Sequence, residues 1–289
     1  MDRLRIHLVV NGHRPDAIEA AAECAARLQA NQAFVGVDSD SGRFLPLPVV
    51  DRSEFGRAEV IVAFGGDGTL IRAAHLASET GTPILGVYYG RFGFVTQCRG
   101  EDVACCLEEY LSGQAPIERR MMIRADMMRG GQSVAALHSL NEVVIQRSVT
   151  GRMMTFDIDV DGYQIASYPA DGVIVCTPTG STAYNLSAGG PLLEPMVQAF
   201  ALTALAPHTL TARSLVLRPE AEIHLRVQSD GDSVLSVDGQ TRLHLLSRDE
   251  VRVTRSERVT NLIVVERQDF LKKLGQRLFF SQSMYEDRP

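Results

Sequence analysis

The chain opens on a short apolar run, RIHLVV at positions 5–10, followed by a stretch rich in alanine and other helix formers, PDAIEAAAECAARLQAN at 15–31. The alternation then repeats. EVIVAF (59–64) is β-branched with no polar alternation, the pattern of a strand covered on both faces, and GTLIRAAHLASET (68–80) reads as a helix that stops before Gly81. PILGVYY (83–89) is a further strand, and EDVACCLEEYLSG (101–113) a helix with acids in its first turn and glycine at its end. This order predicts an α/β domain, a Rossmann-like parallel sheet with helices on its faces.

From about residue 119 the apolar period shortens to that of half-buried strands. TFDIDVDG places Phe156, Ile158 and Val160 on one face, EIHLRVQ does the same with Ile223, Leu225 and Val227, and VRVTR with Val251 and Val253. Turns are predicted at Asp161-Gly162, Asp230-Gly231 and Asp238-Gly239. The pattern predicts a mainly-β, antiparallel second domain. The boundary falls in GQAPIERR, near 115–122: an α/β domain over 1–120, a β-rich domain over 121–265, and a C-terminal segment over 266–289.

Composition chiefly excludes. Of 289 residues, 45% are hydrophobic and 22% charged, ordinary for a globular chain with a real core. The net charge of -6, with no basic stripe, argues against a nucleic-acid partner. No stretch approaches about 18 apolar residues, so no membrane span is expected. The N-terminal apolar run is too short for a secretory signal, and no small-residue cleavage site follows. The five cysteines are odd in number and form no C-x-x-C, which suggests neither a disulfide framework nor a zinc site and fits the cytoplasm. The two lysines, Lys272 and Lys273, stand far along the chain from every glycine-rich stretch, so a Walker-type loop, which requires G-K-[ST], is excluded.

Two stretches carry candidate chemistry. In VAFGGDGTLIR (62–72), Gly65, Gly66 and Gly68 follow a predicted parallel strand and precede a helix, where backbone amides and the helix dipole favour anions. Asp67 at the centre of such a turn is unexpected, since two like charges about 4 Å apart repel by roughly 4 kcal/mol at an effective dielectric near 20. It either faces a metal ion, or takes a proton from a bound group, or points away and shapes the turn. If the turn is only a connection, its glycines are there to supply positive φ. In ADGVIVCTPTGSTAYNLSAGGP (170–191), a strand feeds a loop carrying Thr177, Thr179, Ser181, Thr182, Ser187, Gly189 and Gly190, whose hydroxyls and exposed amides suit sugar and phosphate oxygens. Pro178, Tyr184, Leu186 and Leu192 mark it as a binding loop rather than a flexible linker.

Weaker signals lie elsewhere. In SLNEVVI (139–145), Asn141 offers a donor and an acceptor and ionised Glu142 an acceptor, a pair suited to an adenine edge and ribose hydroxyls. Asp157, Asp159, Asp161 and Gly162 copy the start of a calcium loop, but Tyr168 occupies the position that needs a bidentate glutamate, so the stretch reads as a strand with an Asp-Gly turn. His7 and His224 read as strand-face residues and His208 as a turn residue, and no spaced His/Cys cluster offers a protein-built metal centre. GRFGF (90–94) reads as a tight turn that packs Phe92 and Phe94.

Together these stretches resemble the NAD kinases, the bacterial ones in particular. FGGDGTL, GVYYGRFGFVT, SLNEVVI, DGVIVCTPTGSTAYNLSAGGPLLEP, PHTLTAR and DGQ are similar, in order, to that family's landmarks over about residues 5–265. TPTGSTAY is the most specific of them; GGDG is shared with lipid kinases and phosphofructokinases. The resemblance implies a phosphofructokinase-like α/β first domain, a sandwich-like second domain, and a last stretch that returns to the first. It implies phosphorylation of the adenosine-ribose 2′-hydroxyl of NAD to make NADP, using ATP and a divalent metal, Mg or Mn. Asp67 is then the general base, with Gly65, Gly66, Gly68 and Arg72 on the donor's phosphates. Asn141, Glu142, Arg152, Asp171, Thr179, Thr182, Ala183, Tyr184, Asn185, Leu186, Ser187 and Gln240 fall where the family binds NAD. Family members form homodimers or homotetramers. Tyr88 stands where many members carry asparagine or histidine, and Pro169 where some carry a basic residue. A lipid or sugar kinase built on the same GGDG loop, or a non-catalytic nucleotide sensor, are the competing readings.

Overall fold

The computed structural model describes residues 3–89, 93–96, 98–147, 154–228, 233–265 and 270–275. Gly90, Phe92, Arg152, the Asp230-Gly231 turn and most of the 266–289 segment lie outside them. The chain divides into two units, Met1–Glu118 with Asn261–Pro289, and Arg119–Thr260.

The first unit is built from β1 (Arg5–Val10), α1 (Pro15–Ala30), β2 (Phe34–Val37), α2 (Arg52–Phe55), β3 (Val60–Gly65), α3 (Asp67–Ala77), β4 (Ile84–Tyr88), β5 (Cys98–Arg99) and α4 (Val103–Leu111). Its strands pair in parallel in the order β4-β3-β1-β2, with β5 beside β4. All six residues of β3 are buried, as its unbroken apolar run predicts. Pro15 sits in the first turn of α1, where its missing N–H breaks no hydrogen bond. Ala17, Ala21 and Ala25 follow at one-turn spacing and form the buried stripe of that helix. On α3 the stripe is Leu70, Ile71, Ala73, Ala74 and Ala77. The chain leaves β1 toward β2 on one side and returns through β3 to β4 on the other, so the strand order reverses between β1 and β3. Open α/β sheets bind ligands outside the carboxyl ends of strands at such a point, and the Gly65–Gly68 turn lies there.

The second unit contains β6 (Ile117–Arg129), β7 (Gln132–Ser139), β8 (Glu142–Arg147), β9 (Met154–Val160), β10 (Tyr163–Ala170), β11 (Gly172–Cys176), α5 (Tyr184–Ser187), β12 (Phe200–Leu205), β13 (Leu215–Leu217), β14 (Ile223–Gln228), β15 (Ser233–Val237), β16 (Thr241–Leu245) and β17 (Glu250–Ile263). One sheet runs β13-β12-β11-β8-β15-β16; in the other, β10-β9-β14-β17 is extended by β6 and β7. Phe156, Ile158, Ile223, Leu225, Val227, Val251 and Val253 share one core with Val143, Ile145, Val173, Val175, Phe200, Leu202, Leu235 and Val237 from the other sheet. That is the core of a sandwich.

The Asp161-Gly162 and Asp238-Gly239 turns have φ of 52° and 82°, and of 50° and 66°, as two-residue hairpin turns of this hand require. The calcium-like carboxylates belong to β9 and its turn, where Asp161 pairs with Arg218 at 2.7 Å and Asp157 accepts from Ser167 Oγ at 2.6 Å. The end of β17 belongs to the first unit, where Leu262 pairs in parallel with Ile84, and α6 (Phe270–Leu274) follows there. Among the described residues no helix is long and apolar enough to cross a membrane.

Candidate active site

At the carboxyl end of β3 the chain turns through Gly66 directly into α3, with Asp67 as the first helical residue. None of Gly65, Gly66 and Gly68 has positive φ. Positive φ is therefore not what glycine supplies at these three positions. Gly65 is a packing glycine: an added Cβ would overlap Thr69 Oγ1 and stand 3.0 Å from Asn11 Cβ. At Gly66 and Gly68 a Cβ would meet, among the described residues, no atom within 4 Å beyond its chain neighbours and the helix's own backbone. Both stand at the positive end of an 11-residue helix.

Asp67 faces the 93–96 segment. Its Oδ2 accepts from the Phe94 amide at 2.9 Å, and its Oδ1 from the Val95 and Thr96 amides and Thr96 Oγ1, each at 3.3 Å. An added Cβ at Gly93 would overlap this carboxylate, so Gly93 is what lets the two segments meet. Arg72, expected on phosphate, has its guanidinium committed elsewhere: it donates to Val10 O at 2.8 Å and Ser41 Oγ at 3.3 Å and pairs with Asp38 at 3.3 Å. Asp38 is buried and needs a cation beside it, which explains the placement.

In the second unit the Asn141-Glu142 turn and the 177–187 loop meet. Thr177 follows β11, and its amide donates to Asn141 O at 2.8 Å while its hydroxyl donates to Leu140 O at 2.6 Å. Gly180 lies against the same turn so closely that an added Cβ would overlap Asn141 O and stand 2.7 Å from Asn141 Cα. Thr179 is buried and accepts from Arg120 at 3.3 Å, and Thr182 donates to Thr179 O at 3.3 Å. Asn185 faces inward, donating to Pro191 O at 2.9 Å and accepting from Thr203 Oγ1 at 2.8 Å, so its amide shapes the loop. Ala183 and Leu186 are half-buried, while Tyr184, Ser187 and Gln240 are exposed.

Asp171 is not brought to this cluster. It precedes β11 whereas Thr177 follows it, which separates them by the strand's length, roughly 20 Å at about 3.3 Å per residue. There it pairs with Arg147 at 3.2 Å.

Two family models match the chain: the ATP-NAD kinase N-terminal domain over residues 6–115 and the ATP-NAD kinase C-terminal domain over residues 140–265.

The chain belongs to the ATP-NAD kinase family.

It is a kinase, with relatives of similar length. An NAD kinase of Moorella thermoacetica is 38% identical over 286 residues, covering 98% of this chain and 92% of that one. An NAD kinase of Symbiobacterium thermophilum is 38% identical over 275 residues, covering 94% and 97%. Among solved structures, yeast NADH kinase complexed with NADH superposes with a TM-score of 0.88 at 25% identity, over 97% of this chain and 89% of that one. An NAD kinase from Archaeoglobus fulgidus in complex with ATP gives 0.71 at 25% identity, over 96% and 98%.

In this ATP-NAD kinase the sequence reading missed Asp238. Within DGQ, a hairpin turn and family landmark, only Gln240 was expected at the site, yet the Asp238 carboxylate accepts from Ser139 Oγ at 2.6 Å and from the Leu140 and Asn141 amides at 2.8 Å. The reading of Glu142 as ionised is also corrected. Burial, then the nearby Asp238 charge, push its pKa up to about 8, against a smaller opposing effect of the Tyr184 amide. The glutamic acid is thus mostly protonated at neutral pH and able to donate. A cleft of about 570 Å³ on the first unit, lined by Asp16, Glu19, Glu23, Glu101, Arg99 and the Tyr88-Tyr89 pair, is too acidic for phosphate and does not include the glycine turn.

The Glu142 shift has a consequence for stability. Its folded pKa of about 8 lies above the ordinary 4.5, so the contribution is complete below pH 4.5 and is lost as pH rises to about 8. Glu142→Gln removes this slope, at most about 1.4 kcal/mol per pH unit. Urea unfolding of both proteins across that range will show wild type losing stability relative to the variant as pH rises; parallel curves refute the assignment.

Proposed function

We propose that the protein transfers the terminal phosphoryl group of ATP to the adenosine-ribose 2′-hydroxyl of NAD, forming NADP, with Asp67 as the general base. The observation that carries the reading is the turn at the end of β3: two glycines, neither at positive φ and neither crowded by a described residue outside its own helix, flanking a carboxylate at a helix N-terminus. Phosphoryl transfer depends on positioning and on neutralising charge, and an approachable backbone with a helix dipole behind it serves both. A divalent cation, Mg or Mn, carried in with the donor's phosphates supplies the remaining charge neutralisation. Among the described residues Asp67 Oδ2 accepts from the Phe94 amide alone, which leaves a lone pair on that oxygen for the hydroxyl proton. The amides of 94–96 hold the carboxylate in one orientation, which a base in an in-line reaction needs. Asn141, Glu142 and the 179–187 loop bind the nucleotide. Their support is the convergence of the two segments and the buried Asn141 Oδ1 and Glu142 Oε2, which have no partner among the described residues.

The test is incubation with Mg²⁺ or Mn²⁺, ATP and either NAD or NADH, with NADP(H) read by a specific dehydrogenase. Product from either acceptor supports the reading. Absence of product with ATP and with polyphosphate overturns it. Phosphorylated diacylglycerol in its place selects a lipid kinase, and tight NADP binding without turnover selects a sensor.

Gly68→Ala separates approach from packing. The added methyl meets no described residue within 4 Å outside its own helix and neighbours and raises helix propensity by about 1 kcal/mol, so the melting temperature holds or rises. The methyl stands where the donor must approach, and KM for ATP is expected to rise about tenfold. An unchanged KM means that the donor does not approach this turn.

A further inference from the structure

We propose that Asp238 is a positioning residue for the reaction: from the turn after β15 its carboxylate ties the Ser139–Glu142 turn into the shape that presents Asn141 Oδ1 and Glu142 Oε2 together. The proposal rests on the reading of Asn141 and Glu142 as nucleotide contacts.

The chain changes sheets between Ser139, the last residue of β7, and Glu142, the first of β8. Asp238 meets that crossing. Oδ1 takes Ser139 Oγ at 2.6 Å, the Asn141 amide at 2.8 Å and the Glu142 amide at 3.1 Å, while Oδ2 takes the Leu140 amide at 2.8 Å. Three consecutive amides on one carboxylate form an anion nest whose anion is a side chain of the chain itself. The Asp238 amide donates back to Glu142 O at 3.0 Å, and Val237 pairs with Val143, so the β15–β8 register delivers the carboxylate to the turn. Asp238 holds a φ of 50°, a left-handed conformation that aspartate tolerates better than most residues.

The clamp leaves its product visible. Asn141 and Glu142 are each 7% exposed, yet Asn141 Oδ1 and Glu142 Oε2 have no partner among the described residues. Buried polar atoms are almost always hydrogen-bonded, so two unpartnered ones on consecutive residues of a clamped turn mark a place for a ligand's polar groups. The groups that face the Glu142 carboxyl are the Asp238 carboxylate, the Cys176 thiol across the β8–β11 pairing and the Tyr184 amide. Asp238 therefore acts on Glu142 twice, through the backbone it holds and through a charge that adds to the larger effect of burial in raising the Glu142 pKa.

Asp238→Asn tests both effects. The amide keeps one acceptor oxygen and turns an NH₂ toward the donors at Leu140 or Asn141. KM for NAD is expected to rise about tenfold or more with kcat changed less than about threefold. In wild type the fall of kcat/KM at high pH is centred near pH 8, where Glu142 ionises. In the variant, without the repelling charge, this limb moves to lower pH. A lowered melting temperature with KM and the limb both unchanged overturns the proposal, because the role is then only structural. Ser139→Ala, which removes one donor and keeps the charge, covers a misfolded Asp238→Asn protein: a KM rise of about two- to threefold with the limb in place supports the clamp, and an unchanged KM overturns it. Wild type that does not phosphorylate NAD would count against the function reading alone. The clamp is then judged by hydrogen exchange at the Leu140, Asn141 and Glu142 amides, where faster exchange in Asp238→Asn supports it and equal exchange overturns it.

Discussion

Asp67→Asn is expected to turn over at about 10⁻² to 10⁻⁴ of the wild-type rate, the span that a positioned general base contributes. The reason is chemical before it is structural. A carboxylate has about four lone-pair sites, two on each oxygen, and the 94–96 segment supplies Asp67 with four donors, three crowded on Oδ1 and one on Oδ2, which leaves a site on Oδ2. An amide at this position keeps an oxygen for Val95 and Thr96 but turns an NH₂ toward the Phe94 amide, a donor against a donor, which costs about 1–3 kcal/mol. Some loss of melting temperature is therefore expected beside the loss of rate, and the two must be measured together. The decisive comparison is kcat against KM for NAD. A lost base lowers kcat and leaves substrate binding near wild type, whereas a merely loosened 93–96 segment changes binding. An Asp67→Asn enzyme that runs within about threefold of wild type removes Asp67 from the chemistry and leaves it as the anchor of that segment.

Gly180→Ala is expected to lower kcat/KM for NAD by about a hundredfold and to destabilise the fold by about 1–3 kcal/mol, the usual range for overpacking. All three atoms nearest an added methyl are backbone atoms of Asn141, and none can rotate away as a side chain can. Either the 177–182 segment lifts, breaking the Thr177 amide's bond to Asn141 O, or the Asn141-Glu142 turn is displaced from the Asp238 carboxylate. Both routes separate the two halves of the proposed nucleotide site. At about 2–4 °C per kcal/mol for a chain of this class, the loss is visible in thermal unfolding. Gly68→Ala is the matched control for stability alone, since its methyl meets no described residue within 4 Å outside its own helix and neighbours. If Gly180→Ala binds NAD as wild type does, the contact between loop and turn is packing alone.

The architecture was legible because its signals are local. The unbroken run before Gly65, the alternation through Phe156, Ile158 and Val160, and the Asp-Gly pairs each state a period or a dihedral angle that neighbours in sequence decide. Family membership was legible for a related reason, since TPTGSTAY and GGDG are contiguous and keep their order. What the sequence did not show are the partners that lie remote in it. Arg72 carries a charge that suits a phosphate, but the buried Asp38 claims it. Asp171 stands in the same motif as Thr177, yet a strand carries the chain away between them. Asn185 lies in the specific loop, but its amide is used up on Pro191 and Thr203.

By itself, then, the sequence determined the elements, their alternation, their turns and the family, because period, turn chemistry and contiguous motifs are properties of neighbouring residues. The tertiary structure decided which remote groups meet: Asp67 with the amides of 94–96, Gly180 with the backbone of Asn141, and Asp238 with a turn nearly a hundred residues before it. It also decided that Glu142 holds a proton, because burial and a second carboxylate act on it only once β15 has paired with β8. A hydrogen bond extends about 3 Å, and nothing in linear order tells a carboxylate which distant amides folding will bring within that reach.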